Sequence, residues 1–152
     1  MTNLDFLQTT FVNAIEKLDP STAPQWGKMN VRQMVEHMSD SVRIANGKDP
    51  HHLVTPSENV AAFRQFALSD KSFRPNTKNA LMSEEPAPVR LPTYADAIAE
   101  WKSELAELVK HFENQPEKKV MNPFFGEFTF DEWLHLLVKH AKHHLLQFGF
   151  EE

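Results

Sequence analysis

The chain contains no cysteine, so disulfides, thiolate metal ligands and a cysteine nucleophile are all excluded. A cytoplasmic location fits that absence. With four glycines in 152 residues there is no phosphate-cradling loop and no dinucleotide fingerprint, and no Ser-His-Asp order stands out. No stretch approaches the roughly 18 consecutive apolar residues of a membrane span. The first residues, MTNLDFLQTT, lack the basic start and apolar run of a secretory leader. Runs of Lys or Arg are also missing, and the net charge is −5, which argues against nucleic acid or an anionic membrane as a partner. What remains is a composition that suits one globular domain, residues 1–152, with one core. It carries eight histidines, and four of them fall within a single helix-like stretch.

That stretch is TFDEWLHLLVKHAKHHLLQFGF, residues 129–150. Thr129 with Glu132 reads as a capping box, Phe128 with Trp133 as a hydrophobic staple, and Gly149 as the left-handed terminator. At the helical period, Phe130, Trp133, Leu134, Leu137, Ala141, Leu145 and Phe148 form one apolar face. His144 falls within that face and His140 at its edge. His143 and His135 point away from it, on opposite sides. His140 and His144 thus make an H-x-x-x-H pair one turn apart, able to hold one divalent metal if a third ligand joins them. By themselves they read more simply as two partly buried histidines bonded to carbonyls or water.

The rest of the chain supplies three more long helices. Residues 4–18 place Leu4, Leu7, Phe11, Ala14, Ile15 and Leu18 on one stripe, with Phe6 off it. After a loop in which Trp26 reads as a plug over the end of a bundle, Asn30 and Gln33 open a helix over 31–46, ended by Gly47. His37 lies at the edge of its apolar stripe, either a boundary histidine or a ligand, while Glu36 and Asp40 project towards solvent. Residues 47–92 hold six prolines and one short helix, Glu58 to Leu68, capped by Ser57, with Val60, Phe63 and Ala67 inward. The segment SFRPNTKNALMSEEPAPVRLP reads as extended, covering one mouth of the bundle, and the length of the whole connection lets the flanking helices run parallel. His51 and His52 are reserve ligands or an exposed loop pair. Thr93, with Asp96 standing in for the usual Glu, caps a helix over 94–114. Asn122, Pro123 and Gly126 mark a turn beside Phe124, Phe125 and Phe128, a hydrophobic cap. The expected fold is all-α, with four long helices near 4–18, 31–46, 94–114 and 130–148 and no convincing strands.

WGKMNVRQMVEHM, NPFFGEFTFDEW and KHAKHHLLQFGF occur in that order. Together they resemble the DinB/YfiT-like superfamily, and within it a branch ending in a His-His-Leu-x-Gln-Phe-Gly run. The resemblance implies a four-helix bundle with a long connection between the second and third helices. It also implies a divalent metal on three histidines, one from the second helix and two from the last, at positions matching His37, His140 and His144. One departure is Asn122, where that branch often has histidine before Pro123, a change at the pocket rim. Relatives of this kind include thiol-dependent transferases and isomerases, and metal-dependent hydrolases. The implied partners are a small-molecule substrate such as a low-molecular-weight thiol, and a second copy in a homodimer.

Three imidazoles leave coordination positions open for water or substrate. Zinc and nickel are the metals expected on such ligands, with iron and manganese as the other candidates. Gln147 either orients a ligand or is a solvated amide on the helix surface. Two function classes follow. One is a metal-dependent transferase or hydrolase. The other is a non-enzymatic bundle that binds a small ligand or a protein, with the metal structural or vestigial.

Overall fold

A computed structural model describes residues 1–75 and 85–150 of the chain. The first helix, α1, starts earlier than its apolar stripe, because Thr2 and Asp5 form a capping box. It then runs without interruption through Asn3–Asp5, a π-helical turn at Phe6–Thr10, and Phe11–Lys17. The π turn carries an extra residue and so shifts the helical phase. For that reason Phe6, which a uniform period puts off the stripe, is buried together with Leu7 and Phe11.

Helix α2 spans Val31–Ala45 and opens on the expected Asn30–Gln33 capping box. Helix α3, Ser57–Leu68, is the short helix of the long connection. Ser57 is its first residue and not its cap, and no side chain bonds its N-terminus. Its inward face also differs from the expected one: Ala67 is buried, Val60 half-buried, and Phe63 exposed. Helix α4 spans Tyr94–Glu113, with Thr93 accepting from the Asp96 amide. Helix α5, Phe130–Gln147, forms both halves of its Thr129–Glu132 box, and the Phe128 and Trp133 rings meet edge-on at 5.8 Å. Gly149 lies past its end at φ 77°.

The chain is therefore mostly helical, but not purely so. Val120–Asn122 (β1) and Gly126–Phe128 (β2) pair antiparallel, with Val120 opposite Phe128. Strands of three residues are too short for an alternating pattern to register. Asn122 makes the hairpin: its buried side-chain oxygen accepts from the amides of Phe124 and Phe125, at 2.9 and 3.2 Å. The Trp133 indole donates to the Val120 carbonyl at 3.2 Å and ties the hairpin to α5.

One continuous core joins these elements. Helix α2 packs on both α4 and α5, and α1 packs on α4 and α5. Trp101 of α4 is fully buried against Phe11, and the Tyr94 hydroxyl donates to the Ile15 carbonyl at 2.6 Å. Among the described residues, no helix is long and apolar enough to cross a membrane.

The connection after α3 falls partly on residues 76–84, outside the described residues. Its described end lies along α2. Arg32 donates to the Leu91 carbonyl, Gln33 to that of Ala87, and Glu36 accepts from the amides of Arg90 and Leu91. Glu36 is thus buried, against the expectation that it faces water. The cause is outside its own helix: a neighbouring strap of backbone supplies the donors that a buried carboxylate needs. Asp40 is exposed, as expected, and pairs with Arg90.

Candidate metal centre

His37 comes from the middle of α2, and His140 and His144 from successive turns near the end of α5. The packing of α2 on α5 brings the three rings together. His140 Nε2 lies 3.0 Å from His37 Nε2 and 2.9 Å from His144 Nε2. Each of the three offers a ligand atom within 4.8 Å of the others. Nitrogens bound to one first-row ion at about 2.0–2.1 Å would sit about 2.9–3.4 Å apart, so the observed spacing suits a shared ion. Among the described residues this is the one such group, and it includes no carboxylate.

The outer ring nitrogens explain why the inner ones converge. His144 Nδ1 lies 2.7 Å from Gln147 Oε1, and Gln147 Nε2 donates to the Trp26 carbonyl at 3.1 Å. The Trp26 bond fixes which end of the amide faces His144, so His144 must donate through Nδ1. Its Nε2 then carries a lone pair. His140 Nδ1 has the Ser41 hydroxyl at 3.5 Å, and that hydroxyl also donates to the His37 carbonyl at 3.3 Å. With Ser41 engaged in that way, it accepts from His140 and leaves a second Nε2 lone pair facing inward. Lone pairs this close repel unless a cation or a proton stands between them. Gln147 is buried, which settles its two readings against the solvated amide. Replacing it with Leu is expected to weaken metal binding by about 10–100-fold, read by competition titration, with one ion still bound at saturation.

Burial acts on the same rings. Desolvation is the first cause of each shift: it lowers the His37 pKa to about 4 and that of His144 to about 3, and holds His140 well below the ordinary value. Neighbouring imidazoles push the same way. All three are neutral at pH 7, the form that binds a metal.

The other histidines behave differently. His135 Nε2 donates to the Ser69 carbonyl at 3.0 Å. The half-buried His143 bonds the Phe73 backbone, and its ring packs on Phe73 at 5.8 Å and Trp26 at 5.4 Å. Neither joins the three-nitrogen group, but they are not on opposite sides as the wheel implied. Both reach the segment that follows α3, which spans the roughly 80° that separates positions eight apart round a helix. His51 bonds Asp49 at 3.2 Å, so it does not join the cluster either. Trp26 lies beside His143 near the end of α5, and Phe125 stacks on Phe128 at the hairpin.

A family model described as the DinB superfamily matches residues 4–148. The chain belongs to the DinB superfamily. No match was found among curated proteins or among solved structures. The superfamily assignment and the clustered imidazoles are both compatible with a metal-binding site.

For this DinB-superfamily protein in its metal-free form, the depressed pKa values make acid a denaturant. Below about pH 6.5 the unfolded chain protonates histidines that the native state keeps neutral. The unfolded state then binds more protons, so stability falls as pH drops from about 6.5 towards 4. Urea titrations of chelator-treated protein at pH 7 and pH 5 should give a clearly lower midpoint at pH 5. Equal midpoints would show that the three rings are not desolvated as a group.

Proposed function

We propose that this protein is a metal-dependent enzyme of the thiol-transferase or hydrolase type. In this reading it is a DinB-like four-helix bundle, residues 1–152, holding one divalent ion on His37, His140 and His144. The observation that carries the reading is the convergence of three neutral Nε2 atoms, two of them aimed by acceptors behind their rings. Three nitrogen ligands leave positions for water or substrate, and zinc or nickel, then iron or manganese, suit them. Bound there, the ion would acidify a water or a thiol, or polarise a carbonyl.

The chain's own part is to hold and orient. Gln147 fixes the His144 tautomer, Ser41 backs His140, and the α2–α5 contact sets the ring spacing. His37 and His140 retain some exposure, which supports access by a small substrate such as a low-molecular-weight thiol. The second reading is a non-enzymatic binding bundle with a structural or vestigial metal. It is favoured by the lack of any carboxylate in the cluster among the described residues, since no built-in general base stands ready. Glu36, the nearest acidic neighbour in sequence, is committed to Arg90 and Leu91.

Elemental analysis of purified protein tests the site, and turnover of electrophiles with candidate thiols tests the chemistry. One equivalent of metal with thiol-dependent turnover is the expected result. One equivalent with no turnover across thiols and simple esters would favour the second reading. Light scattering should find the homodimer that this reading includes, and a monomer at high micromolar concentration would remove that part of it.

A further inference from the structure

His135, Lys139 and His143 are spaced four residues apart, so they lie along one flank of α5, a single position behind the ligand stripe of His140 and His144. All three grip the same short stretch of chain. His135 donates to the Ser69 carbonyl at 3.0 Å, and Lys139 Nζ donates to the Phe66 carbonyl at 2.6 Å, where α3 ends. His143 bonds the backbone of Phe73. Lys139 is a largely covered side chain whose amine feels the charge of Asp70. Here it meets the carbonyl end of a helix and stands over two rings, 4.5 Å from the centre of Phe66 and 5.8 Å from that of Phe73. The rings of Phe66 and Phe73 pack at 5.7 Å. The result is a half-buried Phe73 ring held edge-on 6.2 Å from the ring of His140 and 5.8 Å from that of His143.

Three side chains of one helix thus fix the backbone of this segment. The feature they jointly determine is where Phe73 stands relative to His140. We propose that Phe73 is the specificity-determining wall of the three-histidine site, latched by His135, Lys139 and His143, and that it admits small single-donor ligands while hindering bulky ones. This rests on the metal-site reading above for what lies behind the wall. The class of ligand it favours is a single donor atom carried on a slim group, for which the Phe73 ring offers an apolar surface.

The test compares wild type with Phe73→Ala, Phe73→Trp and Lys139→Met in two forms of the full chain. In zinc-loaded protein, the rate of zinc transfer to pyridine-2,6-dicarboxylate, a rigid tridentate chelator, should rise by about tenfold or more in Phe73→Ala, with metal stoichiometry unchanged. It should fall in Phe73→Trp, and rise in Lys139→Met, which loosens the latch while Phe73 itself is kept. The opposite responses of the alanine and tryptophan variants separate a gate from simple destabilisation, which would speed both. In metal-free protein, peptide mapping after treatment with diethyl pyrocarbonate should find His140 modified faster in Phe73→Ala than in wild type. Zinc bound in one equivalent, with all chelation rates within about twofold, would overturn the gate and leave the metal site standing. Failure of wild type to bind zinc would overturn the metal reading. The modification rates would then decide the wall by themselves, and equal His140 rates in wild type and Phe73→Ala would overturn it too.

Discussion

Replacing His144 with alanine is expected to abolish stoichiometric metal binding, whereas replacing His135 should leave it intact. His144 is the most enclosed of the three convergent histidines and the one whose tautomer is fixed by a 2.7 Å bond to Gln147. Without it, two imidazoles from different helices remain, and two ligands hold a divalent ion far less well than three. His135 sits in the same helix but already spends its Nε2 on the Ser69 carbonyl, so it can neither ligate nor substitute. Metal content measured after dialysis is the readout to use. Melting temperature is ambiguous, because losing an ion destabilises while removing one of three clustered neutral rings relieves repulsion in the empty site. A His144→Ala protein that keeps a full metal complement would show that the ion is held elsewhere.

The clustering of His37, His140 and His144 was largely legible in the sequence, in part from local pattern and in part from the resemblance. An H-x-x-x-H pair one turn apart in a well-capped helix faces one side, whereas the stripe left His37 either a boundary histidine or a ligand, and only the resemblance grouped it with the pair. The contacts that surround the three histidines were less legible. Gln147 reaches the Trp26 carbonyl across 121 positions, and no pattern within α5 signals such a partner. Phe73 lies in an irregular segment without periodicity, so nothing in the sequence indicates that it packs on His140. Glu36 was misplaced for the same reason: a helical wheel knows the neighbours in its own helix, not the backbone amides of Arg90 and Leu91 that bury the carboxylate. The hairpin at Asn122 was hidden by its brevity, although the turn residues themselves were plain.

Trp101→Ala should cause a large loss of stability, about 3–5 kcal/mol, a substantial fraction of what a domain of this size has. Trp101 is fully buried, and its ring meets Phe11 at 4.8 Å with the planes at 61°. Its indole N–H donates to the Leu7 carbonyl at 3.1 Å. The accepting carbonyl lies within the π turn of α1. Where the helix returns from the wide turn to its ordinary pitch, the ladder skips a carbonyl, which then needs another donor inside the core. Trp101 therefore fills the space between α4 and α1 and also satisfies the irregularity that turns Phe6 inward. Trp101→Phe separates the two roles. It keeps an aromatic ring but removes the indole donor to the Leu7 carbonyl, and should cost about 1–3 kcal/mol. Urea denaturation of chelator-treated protein at pH 7, followed by circular dichroism so that the lost fluorophore does not matter, measures both. If Trp101→Phe matches wild type within about 0.5 kcal/mol while Trp101→Ala is strongly destabilised, the ring packs but the hydrogen bond does not support the π turn. If both lie that close to wild type, the α1–α4 contact around Trp101 is wrongly placed.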